Sequence, residues 1–499
     1  MPRLVLPLLL GCVAAVAVVD AAPDANPAPL PLPPARVVEV DLEADLAGAT
    51  LRQVEIIQLL IRAARIVDGL YREQLEGSGF YPPDLDAEEF ASWEDPGAGS
   101  PYTVVRRNPA GRLEAVPYHE AWPREIGQLA RLLAQAGEIT NDLALRHYLT
   151  QRARALITGD YGRAEAAWQA MRDSDLDVLI GPIGTDADQR FGLKSGFGAY
   201  LMLRDWAWGA RLAHYTVFLP RMQQDLPVSD AFKAEVPDVG MKVAVYDLLY
   251  HAGYGAARVD APRPVEAADL RLRLRQGPRR LHLRNVARAR FDAMVRPVAE
   301  VLVAPGQRRE VHFDAFFLNT MFHEMSQSLG LRDTLAGRGP VREALREHAD
   351  TIEEAKGLVL SLWLAAWLQR EGELTETSLA EHHASFLAGL FSTLHLDPDG
   401  PRGRARLLVL NHLRDWGAVR RDAAEGTWRV EAAELEPAID ALTAQLLTLQ
   451  GSGDYEGAAE LLETLAVPRA ELRSDLERLA ATDIPQAVLF RQGEHLLGL

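Results

Sequence analysis

An α+β fold, predominantly helical, is what this sequence predicts, and three observations carry the prediction. Apolar residues recur at spacings of three and four over most of the chain from Asn285 to Gln450, which places them on one face of a helix. Strand-like runs are short and fall in the N-terminal half, at Thr103–Val116 and Val178–Ile180. The chain has 499 residues, 48% hydrophobic and 25% charged, a globular composition with enough length for two or three cores.

The first residues are expected to stand outside the fold. MPRLVLPLLLGCVAAVAVVDAAP carries an early Arg3, an apolar stretch from Leu4 to Val19, and small residues at Ala21 and Ala22. That is the layout of a secretory signal peptide, so residues 1–21 read as a signal for export to a periplasmic or extracellular location. Pro7 and Gly11 interrupt the stretch, which argues against a membrane span. The only cysteine, Cys12, follows Leu9-Leu10-Gly11 as in a bacterial lipobox, and anchoring to a membrane through a lipid on Cys12 is the alternative. Residues 22–36 form a Pro-rich linker without the periodicity of a packed element. Residues 37–284 hold the mainly mixed part. It opens with a helix from Leu51 to Val67 and includes two strands around a turn at Pro109-Ala110-Gly111. Residues 285–450 form the helical part. A turn at 451–453 leads to a last helix, and residues 451–499 are expected to pack back on the mixed part.

Charge narrows the partners. With 53 basic and 70 acidic side chains the net charge is −17, which argues against a nucleic-acid partner because phosphate binding needs a basic face. The local basic run Arg271–Arg284 reads as a solvated strand or loop.

The chemistry concentrates in FHEMSQSLG, residues 322–330. Phe313, Phe316, Phe317, Met321 and Met325 give this segment an apolar helical face. In an HExxH zinc helix two histidines four apart sit roughly 40° from each other around the axis, so both reach one ion. The glutamate after the first takes a proton from the metal-bound water. Here His323 and Glu324 stand in place, but the second histidine position holds Gln327, whose neutral amide is a poor zinc ligand. A second acidic element, Asp350-Thr-Ile-Glu-Glu-Ala-Lys-Gly-Leu358, opens another helix. Asp350 reads as its N-cap and Glu353 as the reciprocal capping residue. Glu354 has no capping role and points to another face.

These two segments resemble the dipeptidyl-peptidase III family of zinc metallopeptidases, in particular its bacterial branch of zinc-dependent hydrolases. The resemblance runs along nearly the whole chain after the linker. It includes Gly79-Phe-Tyr-Pro-Pro-Asp84, Ser100-Pro-Tyr-Thr-Val-Val-Arg-Arg107, Ile180-Gly-Pro-Ile183, Val245-Tyr-Asp-Leu-Leu-Tyr250, Ser385-Phe-Leu-Ala-Gly-Leu-Phe391, Leu449-Gln-Gly-Ser-Gly-Asp-Tyr455 and Asp483-Ile-Pro485. It implies two lobes around a wide cleft, one mixed and one helical, with the metal site in the helical lobe. It implies His323 and Glu354 as zinc ligands on neighbouring helices about 8–10 Å apart, Glu324 as the catalytic base, and Glu353 in the shell behind the ligands.

The family's pattern is broken at several of its own positions. Gln327 replaces the second ligand histidine. Leu358 stands where an acidic residue orients a ligand histidine, Gly184 where a glutamate faces the cleft, and Arg402 where a histidine assists the transition state. The segment that holds the substrate backbone is not recognisable around Gly253 to Pro264. The expectation is therefore a secreted relative with a degenerate zinc site, zinc binding that is weak if present, and a cleft that binds peptide or protein without catalysis. The alternative is an active zinc exopeptidase or hydrolase that uses His323, Glu324 and Glu354 with an atypical further ligand, for which His348, His382 and His383 are the spare histidines.

Overall fold

The computed structural model describes residues 36–75, 79–237, 244–259, 269–272 and 279–499. The signal-type segment 1–21, Cys12, nearly all of the linker 22–36 and most of 260–278 lie outside the described residues. Among the described residues no helix is long and apolar enough to cross a membrane.

The fold is α+β with two lobes, each around its own core. The mixed lobe is organised by a five-stranded sheet. Its strand order is Leu176–Gly184, Gly196–Arg204, Ala244–Gly253, Arg279–Leu283, Asp269–Leu272. Neighbours are antiparallel except the third and fourth strands, which run parallel. Leu176–Gly184 is buried at all nine positions, so both faces of this strand are covered and it shows no polar alternation. The helix Leu51–Leu75 supplies part of that cover. Ile56, Leu60, Ala64 and Val67 form its buried stripe at spacings of three and four. The hairpin of Thr103–Arg107 and Leu113–Pro117 turns at Asn108–Gly111. There the Asn108 Oδ1 accepts from the Ala110 and Arg112 amides and Gly111 takes φ +78°. The basic run at 271–284 contributes two paired strands, Asp269–Leu272 and Arg279–Leu283.

The division of the chain between the cores differs from the sequence reading in two places. Helices Trp206–Thr216 and Leu219–Asp225 fall inside the range read as mixed, yet Trp208, Leu212, Leu219 and Met222 are buried in the helical core. Their apolar faces are satisfied equally by either core, and packing on the phenylalanines of the Phe313–Ser326 helix decides it (Trp208 meets Phe317 edge-on at 4.9 Å). The segment 451–499 also divides. Two helices, Tyr455–Leu465 and Ala470–Ala480, stay with the helical core. The return to the mixed lobe begins with the strand Ala487–Arg491, which pairs in parallel with Val37–Asp41. Gly451 and Ser452 belong to the preceding helix, which ends at Gly453 with φ +62°. Gly451 is a packing residue, since a Cβ there would lie 2.4 Å from the Phe232 ring.

The helical lobe contains one irregularity that shapes the site. Between the helices Arg284–Arg290 and Arg296–Leu302 the chain makes a π-turn over Phe291–Val295, where the Arg296 amide reaches the Phe291 carbonyl five residues back. Pro297 lacks the amide that would continue the regular ladder, and widening the turn is one way to accommodate that loss.

Candidate functional site

Two helices carry the sequence-predicted residues. The histidine helix is Phe313–Ser326 and the glutamate helix is Ala349–Arg370. They pack so closely that His323 Nε2 lies 3.7 Å from Glu354 Oε2, with both side chains about nine-tenths buried or more. The close approach depends on Gly357. A Cβ at that position would stand 2.2 Å from His323 Cδ2 and 2.3 Å from Nε2. Gly357→Ala is therefore expected to displace the imidazole or the helix and to destabilise the fold by about 1–3 kcal/mol, the range for overpacking a filled core. A urea unfolding curve reads this directly, and an unchanged midpoint would show that the ring moves aside freely.

A third helix, Pro401–Trp416, completes the group. Its Arg406 is buried, and Nη1 donates to Glu354 Oε1 at 2.9 Å and to the Arg402 carbonyl at 3.2 Å. The carboxylate of Glu354 thus faces an imidazole through one oxygen and a guanidinium through the other. Arg406 was missed by the sequence reading, which stopped at Arg402. The signal was present, because Arg402 and Arg406 are four apart and share one face of a helix.

The other predicted residues are placed differently. Glu324 is buried at 1% exposure, and the Gln327 amide donates to its Oε2 at 3.4 Å. Gln327 is the C-cap, the helix having ended at Ser326, so this position lies beyond the last regular turn. Glu353 is held by Gln450 Nε2 at 2.7 Å and by the buried Lys356 at 2.8 Å. Its capping assignment is corrected by the structure. A 3₁₀ turn over Arg346–His348 runs straight into the glutamate helix, His348 has helical angles, and no side chain caps this end. Asp350 sits inside the first turn and pairs with Arg342 at 2.7 Å.

The spare histidines are engaged elsewhere. His382 is fully buried, with Nδ1 2.6 Å from Asn319 Oδ1 and Nε2 2.8 Å from Thr377 Oγ1. Burial, with smaller effects from His383 and Arg211, pushes its pKa down to about 3. His383 is lowered to about 4 by burial, and His348 lies against the Tyr455 ring. Among the described residues no three His, Cys, Asp or Glu side chains gather in a way that could hold a metal.

Beside His323 the helices leave a cavity of about 130 Å³. Leu358 forms part of its wall together with Phe316, Phe386, Arg290, Arg402 and Arg406. In the mixed lobe, Gly184 is required for packing. A Cβ there would stand 2.4 Å from the Tyr254 ring, whose hydroxyl bonds Asp186.

With this geometry in place, two solved structures are similar over most of their length. A dipeptidyl-peptidase III from Caldithrix abyssi superposes with a TM-score of 0.82 at 26% identity, covering 93% of this chain and 99% of its own. A dipeptidyl-peptidase III from Corallococcus sp. strain EGB gives 0.67 at 27% identity, covering 91% and 95%. The chain has the fold of dipeptidyl-peptidase III and is similar to it along nearly its whole length. Among curated proteins, Nudix hydrolase 3 of Arabidopsis thaliana is 29% identical over 443 residues, 82% of this chain. The chain spans 56% of that relative's length. No family model matches the sequence. Within the dipeptidyl-peptidase III scaffold, then, this chain brings His323 and Glu354 together and sets Arg406 against the same carboxylate.

Proposed function

We propose that the protein is an exported, non-catalytic member of the dipeptidyl-peptidase III family that binds peptide or protein in the cleft between its lobes. The observation that carries this reading is the contact between Arg406 and Glu354. A zinc site of the hydrolytic type needs three protein ligands drawn from imidazole, thiolate and carboxylate, and an open fourth position. The donor set here is one imidazole, one carboxylate and the Gln327 amide directed at Glu324. The carboxylate already accepts from a guanidinium. A fixed cation at that position repels a second one and takes up the lone pairs a metal would use. The residues do not fit a tightly held zinc ion. Export is supported by the apolar stretch from Leu4 to Val19 and the small residues after it.

The convergence of His323 and Glu354 within 3.7 Å favours the second reading, an active zinc exopeptidase with an atypical further ligand. Elemental analysis of purified protein separates the two. The expected result is zinc well below one equivalent and no turnover of a chromogenic dipeptide substrate. The Gln327→His, Arg406→Leu double variant is expected to take up zinc more tightly than either single variant, because only the pair both adds a ligand and frees the carboxylate. One equivalent of zinc with chelator-sensitive turnover in the unmodified protein would overturn the non-catalytic reading.

A further inference from the structure

We infer that Gln486 and Ser392 form a hydrogen-bonding site for a neutral amide group in the cavity beside His323. The inference rests on the peptide-binding reading for the source of that amide, which is the backbone of a bound peptide. The cavity wall mixes apolar and polar side chains, and most of the polar ones are engaged within the protein. Asn319 bonds the ring and the carbonyl of His382. Thr320, Ser361 and Thr393 turn their hydroxyls back to carbonyls of their own helices. Ser385 accepts from the His312 amide and donates to the His312 carbonyl. His323 faces Glu354, and the three arginines of the wall have partners in the protein as well. The side chains of Ser392 and Gln486 make no hydrogen bond among the described residues, although these two residues are only 7% and 8% exposed.

Buried polar groups are nearly always paired, and one left unpaired costs its desolvation without return. These two come from opposite sides of the division between the lobes. Ser392 stands on the helix Leu379–Leu396 in the helical lobe. Gln486 directly precedes the strand Ala487–Arg491, which packs with the mixed lobe. Its backbone amide donates to the Arg36 carbonyl at 2.7 Å, so its side chain is carried on a fixed backbone. Met294, in the same wall, is buried in the mixed core. The cavity therefore lies on the seam between the lobes. A glutamine carboxamide presents a donor and an acceptor side by side, and a serine hydroxyl supplies either. A carboxylate could use only the donor and an ammonium only the acceptor. The group that answers both at once is another amide.

Calorimetric titration of the full protein with 4-methylpentanamide and with methyl 4-methylpentanoate tests the site. The ester keeps the carbonyl and the apolar body and lacks the N–H. Titration with the tetrapeptide Ala-Ala-Ala-Leu, followed by mass spectrometry, tests the peptide-binding reading separately. The amide is expected to bind more tightly than the ester by roughly fivefold or more, the worth of one hydrogen bond. Gln486→Leu is expected to abolish that preference and Ser392→Ala to reduce it, each with a melting curve like that of the wild type. An amide preference lost in Gln486→Leu, with no binding of the tetrapeptide, supports the site and counts against the peptide-binding reading. Binding of the tetrapeptide beside equal affinity for amide and ester supports that reading and overturns the site. A preference that survives Gln486→Leu, or no binding of the amide at millimolar concentration, would also overturn it, and the cavity would then hold water only. Cleavage of the tetrapeptide overturns the non-catalytic reading, and the site is still judged on the amide and the ester.

Discussion

Replacing Arg406 by leucine is expected to destabilise the protein by about 3–5 kcal/mol, the range for removing one partner of a buried ion pair. The Arg406 and Glu354 side chains are 7% and 11% exposed, so the carboxylate left behind has little water to turn to. The loss arises from that stranded charge more than from the missing hydrogen bond. The Glu354→Leu, Arg406→Leu double variant is accordingly expected to recover most of it, since apolar replacement of a buried pair is often neutral or better. Urea unfolding of the two single variants and the double variant gives the coupling energy directly. A second readout ties the pair to the metal question. In Arg406→Leu the freed carboxylate stands 3.7 Å from His323, so added zinc is expected to raise the melting temperature of this variant and not of the wild type. A neutral Arg406→Leu would mean that Glu354 is neutralised by another route.

Acid unfolding is expected to begin unusually close to neutrality. His251 and His382 are 1% and 0% exposed. Burial pushes each from 6.5 down to about 3 in the folded protein, helped for His382 by His383 and Arg211. With the folded values lowered, the unfolded chain takes up protons first. The stability these groups contribute is whole above pH 6.5 and drains away as pH falls toward 3. Each contributes a slope of about 1.4 kcal/mol per pH unit in that window. Two together remove about 5 kcal/mol by pH 4.5, the lower edge of the total stability of an ordinary domain. His383 and His395, each lowered to about 4 by burial, add to the same trend. The measurement is the urea midpoint at half-unit steps from pH 7 to 4.5. His251→Gln should flatten the slope by roughly one proton's share, and a midpoint constant over this range would show that the buried imidazoles are relieved in some other way.

Much of the fold was legible because it follows local periodicity. The apolar spacing through Phe313, Phe317 and Met321 marks the histidine helix, and the apolar run Val178–Ile180 marks the strand Leu176–Gly184, which is covered on both faces. The meeting of His323 and Glu354 could be expected only from the family resemblance, since 31 positions separate them and nothing local joins them. The Arg406–Glu354 contact spans 52 positions and has no local signature beyond the spacing of two arginines. The helices Trp206–Thr216 and Leu219–Asp225 lie in the range read as mainly mixed yet pack in the helical core for a related reason. An amphipathic pattern states that a face is buried, but it does not name the surface that buries it. Asp350 failed as a cap because the preceding turn was itself helical, and a capping motif presumes an extended residue before the helix.

The strand pairing at the edge of the mixed lobe sets an order on how the chain can mature. Among the described residues Val37–Asp41 pairs only with Ala487–Arg491, and Arg491 reaches Asp41 across 450 positions of sequence. During synthesis, the first lobe waits unfinished while the whole helical lobe emerges and folds between its two ends. A ribosome stalled anywhere before residue 487 holds a molecule with one unclosed edge, open to capture by another chain. Linking the paired strands Val37–Asp41 and Ala487–Arg491 directly and cutting between the lobes would remove that delay, and such a rearranged chain should close its mixed lobe early.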